Sequence, residues 1–453
     1  MAAANLEKRP PSVKPDLIGG HFRSFRKDAT GFLTRLSALG DVTFFRLGPQ
    51  PAYFLNDPEL IRDLLVVNAH KFMKGRALQR AKTLLGEGLL TSEGEFHLRQ
   101  RRMIQPAFHR TRIAEYSRSM VEFAEEASDK WHDGQTLDID REMMHLTLRI
   151  VGKTLFSANV EDDADAVGNA MTSVSKLFNY LLLPFAEWLQ KLPLPQSKRF
   201  HGARNALNSV IFGIINERRA SGEDKGDLLS MLLLAQDEDD GSVMTDEQIR
   251  DEAMTLFLAG HETTANLLTF TWYLLSQNPD AEANLHSELD RVLAGRSPTL
   301  DDIPNLPCCE QVIAESMRLY PPAWGIGRLA LEDHEFGGYP IPKGSLILVS
   351  PFVTQRDSRY WENAGQFIPE RWAERSIKEA SQRNIYFPFG GGIRRCIGES
   401  FAWTEGILLL ATLAQKWTLD LDPSQKIELQ PMITLRPKHG MRMQTAHRSE
   451  PPA

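Results

Sequence analysis

One cysteine lies in a setting that suits metal or nucleophilic chemistry. Cys396 ends the glycine-rich loop 387–395 and begins a predicted helix, with Arg394 and Arg395 immediately before it. The partial positive charge of a helix N-terminus and two full charges beside it are expected to lower the pKa of a thiol. The residues alone leave three interpretations open: a thiolate that binds a metal, a nucleophile activated by a distant base, and a buried core cysteine. No CxxC or HxxxH pattern stands nearby, so a zinc site is not predicted.

A glycine and two polar residues stand in the apolar middle of the longest predicted helix. Gly260 is followed by Glu262 and Thr263, and such residues lower helix stability, so they need a reason. Gly260 and Thr263 share one helix face with the apolar Leu256 and Leu267. By itself the pattern allows either a helix-packing glycine with solvent-facing neighbours or a single polar position on an otherwise apolar face.

Two pairs of charged residues stand at helical spacing. Glu315 precedes Arg318 by three positions and His97 precedes Arg101 by four, so the members of each pair share a helix face. Alone, the first pair indicates an ordinary surface ion pair, worth about 0–1 kcal/mol, and the second indicates a solvated basic face. Neither pair predicts a function without further context.

A mainly helical scaffold is predicted to position these residues. Thr245 begins a capping-box pattern, and helix-compatible residues continue over 246–277 until Pro279 ends the run. This helix of 32 residues, about 48 Å long, must cross a whole domain. β-rich residues are confined to a predicted hairpin at 42–55 and a region at 328–349 that includes a second one. The predicted fold class is therefore mainly α with a smaller β region, without an internal linker.

Composition limits the possible functions. The chain has 453 residues, of which 42% are hydrophobic, and a formal net charge of −7, which argues against nucleic acid as a partner. No apolar run approaches the ~20 residues that span a bilayer, so no transmembrane anchor is predicted. Three cysteines cannot form a disulfide framework, and a reducing, cytoplasmic location is predicted. Cys308 and Cys309 are interpreted as buried small residues, and His261 as a solvent or partner contact.

The spacing around the cysteine is specific. Phe389, Gly392, Arg394, Cys396 and Gly398 follow the pattern Phe-x-x-Gly-x-Arg-x-Cys-x-Gly, which resembles the heme-binding loop of the cytochrome P450 family. The resemblance implies that Cys396 is the axial ligand of the iron in heme b, iron protoporphyrin IX. It also implies that Phe389 lies against the sulfur side of the heme and that Arg394 contacts a heme propionate.

The charged pairs fit the same family. The resemblance implies that Glu315 and Arg318, completed by Arg371, form a structural triad that supports the cysteine loop. Trp372 stands where the family more often has Phe, a minor departure. The further propionate contacts that the resemblance implies are His97, Arg101 and Arg328.

The long helix also fits the family. The resemblance implies that Gly260 leaves room for dioxygen and substrate, and that Thr263 hydrogen-bonds the iron-bound peroxide, directly or through water. It also implies that Glu262 relays protons to Thr263 from solvent. The apolar character of the implied pocket predicts a lipophilic substrate such as a fatty acid, terpenoid or steroid-like molecule. The implied pocket positions are residues 84–90, residues 178–185, Leu256, Ala259, residues 324–326 and Ile433.

The resemblance implies a monomeric cytochrome P450 monooxygenase. It would insert one atom of O₂ into its substrate by hydroxylation or epoxidation, in a heme domain at 33–442 between a lead-in segment at 1–32 and a polar tail at 443–453. Only 57 residues follow Cys396 (453 − 396), and no Rossmann glycine fingerprint is present. The predicted electron source is therefore a separate ferredoxin or flavodoxin with its reductase. Three spare basic residues are interpreted equally as a docking patch for that donor or as solubilising charge: Arg99, Arg102 and Arg395.

Two other functions remain open from the sequence. One is a heme-thiolate peroxygenase or isomerase that uses peroxide without outside electrons, against which Glu262 and Thr263 argue. The other is a non-catalytic heme protein that senses a gas. The sequence does not identify the substrate, the site of oxidation or the native redox partner.

Overall fold

The structure is a computed structural model that describes residues 9–16, 19–160, 167–168, 170, 195–236, 241 and 243–448. It is mainly helical with a smaller β region, which confirms the predicted fold class. The α-helices are α1 (Phe22–Lys27), α2 (Ala29–Ser37), α3 (Pro58–Arg62), α4 (Arg76–Leu85), α5 (Gly94–Ile104), α6 (Arg110–Ser128), α7 (Ile139–Phe156), α8 (Pro195–Ser221), α9 (Leu228–Leu234), α10 (Asp246–Ser276), α11 (Pro279–Leu293), α12 (Pro307–Leu319), α13 (Pro351–Thr354), α14 (Arg371–Glu374), α15 (Ile377–Gln382) and α16 (Glu399–Ala414). The strands are β1 (Val42–Leu47), β2 (Gln50–Leu55), β3 (Phe72–Lys74), β4 (Thr136–Asp138), β5 (Ile326–Ala330), β6 (His334–Phe336), β7 (Tyr339–Ile341), β8 (Leu346–Val349), β9 (Trp417–Leu421), β10 (Leu429–Pro431), β11 (Leu435–Pro437) and β12 (Arg442–His447).

Helix α10 is the central element of the helical region. Thr245 and Gln248 form the predicted capping box, and the helix ends at Ser276, three residues before Pro279. Its 31 residues pack against α7, α12 and α16. A helix surrounded in this way can support a site in its middle without exposing that site to bulk water.

The largest sheet has the strand order β1-β2-β8-β5-β3. The first predicted hairpin is present, with Val42 opposite Leu55. The second prediction was only partly right: the turn after Phe336 joins β6 to β7, whereas Leu346–Val349 pairs with β2 and β5. The residues of β8 are apolar and hydrogen-bond to a strand on each side, so β8 lies inside the large sheet rather than at its edge.

Described residues near both predicted domain boundaries, at 32–33 and 442–447, pack into the fold. Phe32 and Leu33 in α2 are buried against β1 and β2. Arg442–His447 forms β12 between β4 and β9, and within it Met443 and Thr445 are buried. The buried residues of β12 alternate with exposed ones over a short stretch, and one of the buried residues is a threonine. For this reason its composition resembles that of a polar tail.

Candidate active site

The cysteine loop is held in place by its own backbone and by the preceding π-helix, Asp63–Val67. Gly392 has a φ of +63°, and a Cβ there would lie 2.0 Å from the carbonyl oxygen of Leu65. Only glycine allows this approach together with this backbone conformation. The N–H of Cys396 donates to the carbonyl oxygen of Phe389 at 3.0 Å, which closes the loop. Gly392 and this hydrogen bond therefore hold the thiol of Cys396 in position.

Cys396 carries a free thiol with accessible surface, although protein atoms surround it. Burial raises the pKa of this thiol to about 11, and the nearby Glu399 carboxylate adds to the rise. The Gly398 N–H and the charges of Arg101 and Arg395 oppose the rise without cancelling it. The predicted lowering of the pKa was thus wrong, because loss of water outweighs the local positive charge. A cation bound to the sulfur is what would hold it as a thiolate, which fits a metal ligand.

Two of the predicted propionate contacts flank this loop. The Arg101 Nη1 donates to the carbonyl oxygen of Arg395 at 2.8 Å. The Arg394 Nη1 donates to the carbonyl oxygen of Ser92 at 2.9 Å, and its Nη2 pairs with Glu93. Burial lowers the pKa of both guanidinium groups, which indicates that their charges are poorly hydrated.

His97 presents a buried nitrogen that has no partner among the described residues. Its Nδ1 lies 3.1 Å from the carbonyl oxygen of Leu89 and 3.4 Å from the hydroxyl of Ser92, while Nε2 makes no hydrogen bond. Burial and the charges of Arg394 and Lys74 lower its pKa to about 3, so the imidazole is neutral. A buried orphan nitrogen of this kind is explained by a bound group.

Arg328 completes the cluster from β5. Only 9% of the residue is exposed, and its Nη1 donates to the carbonyl oxygen of Gly327 at 3.1 Å. Burial lowers its pKa to about 10. The predicted contacts thus bring three guanidinium groups together, of which Arg328 is buried and Arg101 and Arg394 are partly buried. Within the described part of the chain the carboxylate beside them is Glu93, and this excess of positive charge fits a cofactor with two carboxylates.

The middle of α10 borders internal space. From Glu252 to Trp272 every residue is buried except Ala259, Gly260 and Thr263. The Thr263 hydroxyl donates to the Ala259 carbonyl oxygen at 2.8 Å. These accessible positions, one turn apart on a buried helix, indicate a cavity over this stretch.

Gly260 also serves helix packing. A Cβ at this position would lie 3.0 Å from a methyl group of Val151 in α7. A side chain at position 260 would therefore point at α7, so the missing side chain allows the two helices to pack closely. The backbone of Gly260 is partly accessible. The room for dioxygen predicted at Gly260 stays a prediction that rests on that accessible backbone.

Glu262 is held by the segment around β11. Its Oε1 accepts hydrogen bonds from Thr434 and from the Nε of Arg436, the latter at 2.9 Å, and lies 2.7 Å from the Arg436 Nη2. Its neighbour His261 is buried, with Nδ1 2.8 Å from the carbonyl oxygen of Phe257. The solvent contact predicted for His261 was wrong, because this side of the helix packs into the core.

Glu315, Arg318 and Arg371 form one network. Arg318 binds both oxygens of Glu315 at 2.8 Å, and both side chains have no exposed surface. The Arg371 Nε donates to Glu315 at 3.0 Å. The indole Nε1 of Trp372 donates to the other Glu315 oxygen at 3.0 Å, so the departure noted at this position supplies a donor.

Gln355 joins this network to the cysteine loop, a connection that the sequence analysis missed. The Gln355 carbonyl oxygen accepts from Arg318 at 2.7 Å, and its side-chain oxygen accepts from the N–H of Phe387 at 2.9 Å. A single glutamine carries no local signal for such a role. The link from α12 to the start of the loop explains how a remote ion pair can position Cys396.

The structure also locates the implied pocket positions, the basic residue Arg395 and the two other cysteines. Of the implied pocket positions, Ala259 and Gly325 are exposed and Trp324 and Ile433 are partly buried, whereas residues 178–185 lie outside the described residues. Arg395 pairs with Glu399 on the following turn. Cys309 is buried and Cys308 partly so, as predicted for packing residues, and their N–H groups donate to Glu288.

Comparisons with known proteins agree with one another. The profile of the family "Cytochrome P450" matches residues 10–442. Cyclooctatin synthase of Streptomyces melanosporofaciens is 41% identical over 92% of this chain and 91% of its own length. Cyclooctat-9-en-7-ol 5-monooxygenase of the same organism is 39% identical over 88% of this chain and 87% of its own. Pentalenene oxygenase of Streptomyces avermitilis is 36% identical over 95% of this chain and 96% of its own length. Within the described part of the chain, no helix has both the length and the apolar character to cross a membrane.

Proposed function

The chain belongs to the cytochrome P450 family and is a cytochrome P450 monooxygenase, and from this premise we propose that it oxidises a terpenoid with heme b bound through Cys396. One observation carries the proposal. A free, accessible cysteine stands beside a cluster of buried and partly buried guanidinium groups, to which Glu93 is the close carboxylate among the described residues. An iron porphyrin with two propionates satisfies both features at once.

Each set of residues has a distinct task in this proposal. Heme, when bound, supplies the activation of O₂, to which a thiolate ligand contributes electron density. Cys396 provides that ligand, and the loop holds the sulfur in position. His97, Arg101, Arg328 and Arg394 hold the propionates and thereby orient the cofactor. The accessible face of α10 at Ala259 and Thr263 forms one wall of the substrate cavity.

The proton supply is assigned to Thr263 and Glu262. The Thr263 hydroxyl can rotate away from the Ala259 carbonyl oxygen, to which it donates at 2.8 Å, and donate into the cavity. Glu262 is buried and paired with Arg436, so this ion pair must open before its carboxylate can contact solvent.

The proposed substrate is a cyclic terpene hydrocarbon or its alcohol. Two relatives carry the substrates cyclooctat-9-en-7-ol and pentalenene in their names. The implied pocket positions Ala259, Trp324 and Ile433 are exposed or partly buried and carry apolar side chains. Both named compounds are suitable probes. We expect at least one to shift the optical spectrum of the heme protein, whereas a polar compound of equal size gives no shift.

The proposed electron source is a separate ferredoxin or flavodoxin with its reductase. Arg102 and Arg395 are exposed beside the cysteine loop, and basic groups there favour an acidic donor. The rate of heme reduction by such a donor should fall as ionic strength rises, because screening weakens attraction between exposed charges.

The decisive experiment concerns Cys396. The reduced wild-type protein with carbon monoxide should give the absorption band of thiolate-ligated heme, and Cys396→Ala should lose it. Cys308→Ala, which removes another thiol far along the sequence, should keep the band. A thiolate band that survives in Cys396→Ala contradicts the assignment. Product formed with peroxide alone, and none with O₂ and reductant, would favour the peroxide-using alternative.

A further inference from the structure

Two basic residues face each other across neighbouring strands. Lys74 in β3 is the direct register partner of Arg328 in β5. Both are buried, with 5% and 9% of their surfaces exposed. Like charges directly opposite each other destabilise a sheet, and burial strengthens their repulsion. The pair is therefore explained by something that lies between or beside the two charges.

Lys74 has no carboxylate partner among the described residues. Its Nζ donates to the carbonyl oxygens of Leu89 and Ser92, at 2.8 and 3.0 Å. An ammonium has three N–H donors, so one remains. The same carbonyls contact His97 and Arg394, at 3.1 and 2.9 Å. Lys74 thus belongs to the group of side chains assigned to the cofactor.

The neighbouring acids do not neutralise this cluster. The oxygens of Glu93 are taken by the N–H of Lys74, at 2.7 Å, and by Arg394. Glu252 accepts from the N–H of Leu89 at 2.9 Å, and burial raises its pKa to about 8, so it is mostly neutral at pH 7. Burial and the charge of Arg394 lower the pKa of Lys74 to about 7. The cluster lacks an anion.

We propose that Lys74 is a further cofactor-binding residue, whose ammonium holds a heme carboxylate from the β3 side, opposite Arg328. The inference rests on the proposed binding of heme at Cys396. It explains why a lysine, rather than an uncharged donor, stands at a buried strand position. By bonding Leu89 and Ser92, Lys74 also positions the segment that carries His97.

The test pairs a protein variant with a changed cofactor. Full-length protein is loaded with heme or with heme dimethyl ester, which lacks free carboxylates, and the rate of transfer to excess apomyoglobin is measured. The wild type should release the ester roughly a hundredfold or more faster than heme, because esterification weakens all the charge-assisted hydrogen bonds to the carboxylates and each is worth about tenfold. In Lys74→Met this ratio should fall severalfold. Lys74→Arg, which keeps the charge, should retain most of it.

Two further variants guard against a trivial result. Lys74→Gln keeps amide donors for the two carbonyls and removes only the charge, so it serves if Lys74→Met loads poorly. Lys71→Met removes a lysine three residues away that pairs with Glu332 and should leave the ratio unchanged. An unchanged ratio in the Lys74 variants, even with faster release of both cofactors, would overturn the proposal. It would show that Lys74 only holds the carbonyl groups of Leu89 and Ser92. The carbon monoxide spectrum of the wild type tests the heme-thiolate function separately, so either proposal can fail alone.

Discussion

At the scale of single residues, the surroundings of Cys396 agree better with the proposed role of metal ligand than with that of a free nucleophile. With its pKa raised to about 11 by burial, the uncomplexed thiol is protonated at neutral pH. A nucleophilic cysteine requires the opposite, a thiolate maintained by a neighbouring base or cation. The environment of Cys396 therefore suits a sulfur that loses its proton when a metal binds.

Thr263 allows a test of the proton supply at one atom. Thr263→Ala removes the hydroxyl from the accessible face of α10. We expect hydroxylation of the better of the two terpene probes to fall by roughly tenfold or more, because a positioned proton donor is worth about a hundredfold in rate. Reductant consumption should continue, and the electrons should appear as hydrogen peroxide. The ratio of product to reductant consumed, measured with the peroxide yield, checks this.

The serine variant is the matched control for that experiment. Thr263→Ser keeps the hydroxyl and should retain most of the coupling, while the heme content of both variants stays at the wild-type level. Equal coupling in Thr263→Ala and wild type would remove Thr263 from the proton supply.

At the scale of elements, Arg318 joins α12 to the chain that leads to the cysteine loop. Besides Glu315, it donates to the carbonyl oxygens of Gln355, Ala364 and Gln366, at 2.7, 2.7 and 2.9 Å. Arg318→Ala removes the donor to these carbonyl oxygens and leaves Glu315 with Arg371 as its remaining cationic partner in the triad. Breaking a buried network of this kind costs about 3–5 kcal/mol. We therefore expect little heme-loaded protein, measured as the ratio of heme to protein after purification.

A surface arginine or lysine should behave differently. Lys438 pairs with Glu428 at 2.7 Å, and nearly half of each side chain is exposed. Lys438→Ala should cost about 0–1 kcal/mol and leave the heme content normal. Normal heme content in Arg318→Ala would refute a role for the triad in supporting the loop.

The sequence predicts the elements whose signals are local. The capping box at Thr245 and Pro279 mark the ends of α10 within one residue. The pairing of β8 was not predictable, because its partner β2 lies far along the chain, and its partner β5 is separated from it by another hairpin. The contacts of Glu262 with Arg436 and of Gln355 with Phe387 have the same cause. Each joins residues that are separated by tens to hundreds of positions and have no distinctive pattern of their own.

At the scale of the whole molecule, the helical core contains a buried acid that has no basic partner among the described residues. This acid is Glu405 in α16, which is fully buried and has only the Thr264 hydroxyl close to its carboxylate in that part of the chain. Burial raises its pKa from 4.5 to about 8. The folded protein thus holds a proton here that the unfolded chain releases above about pH 4.5. The contribution of Glu405 to folding stability should therefore fall as the pH rises from about 4.5 to about 8.

Glu405→Gln should remove this pH dependence. Because a difference of one in pKa is worth about 1.4 kcal/mol, the variant should match the wild type near pH 5 and exceed its unfolding free energy by a few kcal/mol near pH 9. Urea unfolding at both values, at equal heme loading, measures the effect. Glu335→Gln, the same change at an exposed position in β6, should give equal differences at both values. If the gain from Glu405→Gln were the same near pH 5 as near pH 9, the buried carboxyl would not be proton-linked to folding, and the pH sensitivity of the core would have to lie elsewhere.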